Sequence, residues 1–255
     1  MLVMPAMFVG HGSPMNAIES NGYSQSWRAA GEALPRPKAI VVVSAHWYAD
    51  GAAVTAMDRP RTIHDFYGFP RDLYAVQYPA QGSPDLAARI ARLASPFEVS
   101  LDQAWGLDHG AWSVLVHLFP AADIPVVQLA IDARQPAAFH WELGAALAPL
   151  RDEGVLILGS GNIVHNLRMA DFGARGGYDW ALRFDEYARA AIQAGDRDAL
   201  VRYERHPDGS LAVPTPEHYL PLLYVVSLRR EGETVTTVVD GIEAGSLSMR
   251  SVRIG

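Results

Sequence analysis

Short runs of β-branched and other apolar residues alternate along this chain with longer stretches whose apolar positions return every three or four residues. AIVVVSA at 39–45 and GVLILGSG at 154–161 are apolar at successive positions, the pattern of strands covered on both faces. Strands are predicted at 7–10, 39–45, 52–56, 125–131, 155–159, 234–240 and 247–254. Helices are predicted at 24–34, 111–118, 136–150 and 178–194. The last of these carries Trp180, Phe184, Tyr187, Ala188 and Ala191 on one stripe. Ser83-Pro84 and Thr215-Pro216 each read as an N-cap followed by proline at the first helical position. They open two further helices, before DLAARIARLA and EHYLPLLYVVSL.

Strand–helix alternation of this kind predicts an α/β fold: a central, mostly buried β-sheet with helices on both faces. No internal repeat or low-complexity tract divides the chain, and FGARGGYD at 172–179 reads as a surface loop, so a single domain over 1–255 is expected. Composition then narrows the function classes. The chain has no cysteine, which excludes disulfides, thiolate metal ligands and a cysteine nucleophile. Its net charge of −7 comes without a basic cluster, so a nucleic-acid partner is not expected. The N-terminal run MLVMPAMFV is too short to span a membrane and lacks a basic leader segment. No membrane partner is expected, and the expected location is cytoplasmic.

The candidate chemistry lies in the nine histidines. His11 follows the strand at 7–10, His46 follows AIVVVSA, and His165 follows GVLILGSG after a short loop. All three stand just beyond the carboxyl ends of predicted strands, the sheet edge where ligands bind in open α/β folds. Small residues flank each one, so the backbone can turn sharply there. His218 is expected in the first turn of the helix after Pro216, and with the others it makes a plausible zinc or non-haem iron site. Glu217 could add a carboxylate, but adjacent helical side chains diverge by about 100°, so one ion is not expected to take both. His109 sits in a turn-like Asp-His-Gly, and His64 in a loop dense with aromatics. His117 falls on an apolar helix face, whereas His140 and His206 read as surface residues. Trp47, Tyr48, Phe66, Tyr67 and Trp112 flank these motifs as candidates to stack against an aromatic ligand. The chain has no G-x-S-x-G, no H-E-x-x-H, no Walker loop and no complete G-x-G-x-x-G, so no nucleotide cofactor is expected.

GHGSPMNA, PKAIVVVSAHW, RTIHDFYGFP, the YPA at 78–80, LDHGAWSVL, GSGNIVHNL and PTPEHYLPLLY occur in this order. Together they resemble the 4,5-DOPA extradiol dioxygenases, of the class III extradiol ring-cleavage superfamily to which the protocatechuate 4,5-dioxygenase catalytic subunit also belongs. The resemblance implies one divalent metal ion, Fe(II) for dioxygenase activity or Zn(II) as bound. It also implies a catechol substrate opened with O₂ to a muconic semialdehyde. By motif, His11, His46 and His218 match metal-binding positions. His165 matches an acid/base histidine that is also counted among metal-site residues, and His109 matches a second acid/base histidine. Better-known superfamily members use two histidines and one glutamate. Here His218 stands where that glutamate is expected, with Glu217 as the alternative. The residues alone also admit a zinc hydrolase or a non-enzymatic metal-binding scaffold on the same fold.

Overall fold

In the computed structural model, which describes residues 3–255, the apolar runs assemble into one eight-stranded mixed sheet. Met1 and Leu2, the start of the apolar N-terminal run, lie outside the described residues. The strands are β1 (Ala6–Gly10), β2 (Ala39–Ala49), β3 (Ala52–Thr55), β4 (Val99–Asp102), β5 (Val126–Asp132), β6 (Val155–Gly161), β7 (Val235–Val239) and β8 (Ser251–Ile254). They lie side by side in the order β4-β3-β5-β2-β6-β1-β8-β7. The four central strands, β5, β2, β6 and β1, are mutually parallel. β8 and β7 continue the sheet antiparallel beyond β1. On the other side β3 runs antiparallel to β5 and parallel to β4.

The longer helices are α1 (Gly22–Ala33), α2 (Pro84–Leu93), α3 (His109–Leu118), α4 (Ala137–Ala146), α5 (Asp179–Ala194) and α6 (Leu220–Val226). Alternation along the central strands sorts them onto two faces. Val41, Val43 and Ile157 pack in one core with Ile90 of α2, Leu143 of α4, Phe184 of α5 and Leu222 of α6. Ile40, Val42, Leu156 and Leu158 point the other way, into a core with Trp27 of α1 and Leu115 of α3. Both faces of the parallel strands are therefore sealed, which is why their sequences show no polar alternation. No helix among the described residues is long and apolar enough to cross a membrane.

Several boundaries differ from the sequence expectation, and prolines explain two of them. The helix expected over 136–150 ends at Ala146, and a separate turn, Pro149–Asp152, follows. Proline inside one continuous helix would remove a backbone hydrogen bond and clash with the preceding turn. The helix expected from Pro216 begins instead at Leu220, with Pro221 in its first turn, for the same reason. His218 therefore lies in the turn before α6, not in the first turn of a helix. β2 runs on to Ala49, so His46 is inside the strand and not beyond its end. The run at 247–254 divides into Leu247–Ser248, paired with Ile242–Glu243, and β8. β4 had no sequence signal. It is an edge strand whose Leu101 is half exposed, so neither alternation nor a continuous apolar run marks it.

Candidate metal centre

β1, β2 and β6 are parallel neighbours, so their carboxyl ends open onto one edge of the sheet. His11 is the first residue after β1, and its backbone N–H donates to the Gly161 carbonyl at the end of β6, at 3.0 Å. Gly12 then turns the chain away at φ +59°, a left-handed conformation that glycine adopts without strain. His46 reaches the same edge because the pairing of β2 with β5 slips between Val43, opposite Leu129, and Tyr48, opposite Ile131. The extra residues form an irregularity of the kind that re-aims side chains at sheet edges. The turn before α6 delivers His218. Its carbonyl accepts the Asn162 N–H at 2.8 Å and lies so close over Gly161 that a Cβ there would collide with it.

The imidazoles of His11, His46 and His218 converge, each offering a ring nitrogen within 4.8 Å of the others. Hydrogen-bond partners assign their tautomers. Ser160 Oγ donates its one proton to the Gly110 carbonyl at 2.5 Å, so it accepts from His11 Nδ1 at 3.0 Å. The lone pair of His11 is then on Nε2. Glu217 Oε1 accepts from His218 Nδ1 at 3.1 Å, and Asp65 Oδ2 stands 3.5 Å from His46 Nδ1. His11 and His218 thus turn Nε2 lone pairs inward, and the Nε2 atoms of His11 and His46 are only 3.2 Å apart. Burial and the neighbouring imidazoles hold His11 and His218 well below the ordinary histidine value. Burial, with His109 next, pushes His46 down to about 3. Neutral imidazoles with outward Nδ1–H groups held by oxygen acceptors are what a divalent transition metal requires of histidine ligands. The residues present therefore fit the group.

Glu217 is placed as an orienting group. Its Oε1 accepts both from His218 Nδ1 and from Thr215 Oγ1, the latter at 2.8 Å. It also belongs to a second cluster of possible ligands, with His165 and His218. His165 stands outside the convergent trio. Its ring stacks on His218 with centroids 3.5 Å apart and planes 6° from parallel. Burial pushes His165 down to about 4, against an opposing pull from Glu217, so at neutral pH it is an uncharged proton acceptor.

His109 opens α3, and its ring centroid lies 3.8 Å from that of His46 with the planes tilted by 45°. Asp65 clamps it twice: Oδ1 accepts the His109 backbone N–H at 2.8 Å and Oδ2 accepts Nδ1 at 2.9 Å. Burial pushes the Asp65 carboxyl up, but the His109 hydrogen bonds and the His46 field outweigh it, and the net shift is downward. Asp65 was not among the residues singled out in the sequence, although it lies inside RTIHDFYGFP. A lone aspartate in a loop carries no spacing signal. Behind it, buried Asp108 caps α3, accepting from Ala111 N at 3.2 Å and from Ser44 Oγ at 2.7 Å, with Gln128 Nε2 on its other oxygen. Burial, then Asp65, raises the Asp108 carboxyl to about 6.

A cavity of about 280 Å³ opens over the imidazoles, lined by all five histidines together with Phe66, Phe69, Phe172 and Leu167. Of the aromatics proposed from the sequence, only Phe66 lines it. Trp112 is buried with its indole N–H on the Ile63 carbonyl, Trp47 stacks on Trp105, and Tyr67 is 92% exposed. His64 Nε2 donates to the Val76 carbonyl at 2.9 Å, and the ring does not line the cavity. His117 is buried against the Asn16 carbonyl as expected. His140 is fully buried against Tyr224 Oη at 2.9 Å, which corrects its reading as a surface residue; α4 is flanked by the core on its His140 side. His206 is half buried, packed on Tyr187. A more open cavity of about 400 Å³, near Glu98, Asp132 and Arg134, contains none of the clustered histidines.

The model of the family described as the catalytic LigB subunit of aromatic ring-opening dioxygenase matches residues 4–241. The 4,5-DOPA dioxygenase extradiol of Escherichia coli K12 is 55% identical, over 99% of this chain and 95% of its own length. The protein of the same name from Beta vulgaris is 40% identical, over 98% and 96%. The crystal structure of an uncharacterized Escherichia coli K12 protein superposes with a TM-score of 0.87 at 50% identity, covering 99% of this chain and all of that one.

Proposed function

The chain belongs to the LigB family of aromatic ring-opening dioxygenases and is an extradiol ring-cleaving enzyme, and from that premise we propose which substrate it takes and which residues serve the reaction. The substrate is a catechol of the DOPA type. It is opened beside its paired hydroxyls, and both atoms of O₂ enter a muconic semialdehyde. The Escherichia coli and Beta vulgaris relatives are named for that substrate, and the apolar cavity suits an aromatic ring. His11, His46 and His218 hold a divalent metal ion. The observation that carries this assignment is the convergence of three ring nitrogens within 4.8 Å of one another, with the Nδ1 groups of His11 and His218 held by oxygen behind them.

When bound, the ion supplies positive charge that acidifies catechol hydroxyls and gathers the organic substrate and O₂ at one centre. The chain's own groups do the rest. Phe66, Phe69 and Phe172 offer the substrate ring an apolar wall. His165, neutral and facing the cavity, takes a hydroxyl proton at a ring nitrogen and returns it as the ring opens. His109 keeps its Nδ1 proton on Asp65, so its Nε2 is the nitrogen available to substrate. A hydrolase or scaffold reading has no comparable support. The test is anaerobic loading with Fe(II), then O₂ with a catechol panel. A yellow ring-opened product is expected, and no turnover across the panel would refute the substrate assignment.

A further inference from the structure

Glycine is the poorest helix former after proline, yet Gly110 is the second residue of α3 and is buried. A Cβ on it would collide with Ser44 Oγ and would stand 2.8 Å from His46 Cδ2. The first turn of α3 therefore lies directly against the His46 ring because this position has no side chain. The Gly110 carbonyl accepts the proton of Ser160 Oγ at 2.5 Å, which leaves that oxygen to accept from His11 Nδ1. One backbone position thus bears on two rings that come from different strands. The turn carrying it is itself pinned. Asp108 caps it at Ala111 N and accepts from Ser44 Oγ of β2, and Ser44 Oγ accepts the His46 N–H at 3.3 Å. With Gln128 of β5, Asp108 makes two hydrogen bonds: its N–H donates to Oε1 at 3.2 Å, and Oδ2 accepts from Nε2. Asp108, Ser44 and Gln128 are all fully buried, and a buried polar network partnered in this way is rigid.

We propose that the first turn of α3 is the positioning element of the metal centre, with Gly110 as its contact and Asp108 as its anchor. The bare Cα of Gly110 sets where the His46 ring stands, and its carbonyl, through Ser160, sets the tautomer of His11. The proposal rests on the ligand assignment above, and its test reads metal binding, not turnover. Gly110→Ala is compared with Gly144→Ala in α4. A Cβ at Gly144 would be as crowded, 2.5 Å from Ser227 Oγ and 2.6 Å from Tyr224 Cα, but its nearest contacts are not histidines. Zn(II) affinity is measured by competition with a chelator, and ligand geometry by the visible ligand-field spectrum of the Co(II)-loaded protein. Gly110→Ala should weaken Zn(II) binding by about tenfold or more and alter the Co(II) spectrum. Gly144→Ala should lower the melting temperature, keep Zn(II) affinity within about twofold of wild type and leave the spectrum unchanged. Unchanged metal readouts in Gly110→Ala, or equal losses in the two variants, would overturn the role. Should Gly110→Ala fail to fold, Ser44→Ala decides: it adds no atom and unties Asp108 from β2. A loss of about tenfold in Zn(II) affinity is expected there, and wild-type affinity would overturn the proposal. Full metal retention by both His11→Ala and His46→Ala would overturn the ligand assignment and the proposal together. If those two are empty while Gly110→Ala binds as wild type, the positioning role alone falls.

Discussion

At His11, His109 and His218 an oxygen holds the Nδ1 proton, and at His46 the Asp65 carboxylate stands nearby, so what each imidazole can do is decided one atom behind it. Removing a ligand and removing its orienting oxygen should therefore differ in degree. His11→Ala and His46→Ala are expected to lose stoichiometric metal, read by elemental analysis after dialysis. Ser160→Ala leaves the His11 ring in place but frees its tautomer, and a loss of about 10- to 100-fold in metal affinity is expected. His165→Ala should retain the metal and lose ring opening. Retention by the His11 and His46 variants, or metal loss in His165→Ala, would reassign the roles. Asp65→Asn isolates the acid/base role proposed for His109. The amide can offer its NH₂ to Nδ1 and so favour the wrong His109 tautomer. Turnover should fall by about 10²-fold with metal still bound at saturation, and the pH dependence of kcat should change shape. Wild-type kcat in that variant would show that His109 does not depend on its carboxylate.

Strands and turns set the positions of these side chains, and Gly161 is where two of them meet. Its carbonyl accepts from His11 N–H, and the His218 carbonyl presses against the place a Cβ would occupy. Gly161→Ala should push the turn before α6 outward and weaken metal binding by at least about tenfold, measured by competition with a chelator. Secondary structure by circular dichroism should stay unchanged, and unaltered affinity would mean that the turn can give way. This contact also shows what could be read in the sequence. The apolar runs before His11, His46 and His165 place all three at the sheet edge, since a buried parallel strand leaves a plain signature. His46 was brought to the same edge through an irregularity in β2 that no run of residues announces. The sequence expects a helix from Pro216 and the structure starts it at Leu220, because Pro221 is an equally competent first-turn residue and the chain before it packs over Gly161. The roles of Asp65 and Ser160 depend on contacts far apart in sequence, between residues 65 and 109 and between 11 and 160.

Across the whole molecule, His11, His46, His117, His140, His165 and His218 are all held below the ordinary histidine value, with burial the first cause in each. For a histidine depressed in the folded state, the unfolded chain binds its proton first. Stability is full above an unfolded pKa of roughly 6.5 and drains away as pH falls toward the folded value. The metal-free protein should therefore lose stability steeply between about pH 6.5 and 4 in urea titrations. His140, pushed down to about 4 and remote from the metal cluster, gives a clean component. His140→Phe should reduce the slope in that window by up to about 1.4 kcal/mol per pH unit, one proton's worth, even if its overall stability shifts. On the proposed ligand set, an ion and a proton compete for the same Nε2 lone pairs, but only at the low pH where those rings titrate. Zn(II) at about 100 times its dissociation constant should add about 2.7 kcal/mol at neutral pH. Because His46 is pushed down to about 3 and His11 and His218 lie well below the ordinary value, these rings stay unprotonated in the folded protein from about pH 7.5 to 5, and the increment should hold nearly constant over that range at fixed metal concentration. An increment that fell steeply between about pH 7 and 6 would show that the ion is held by groups that titrate there, not by these imidazoles.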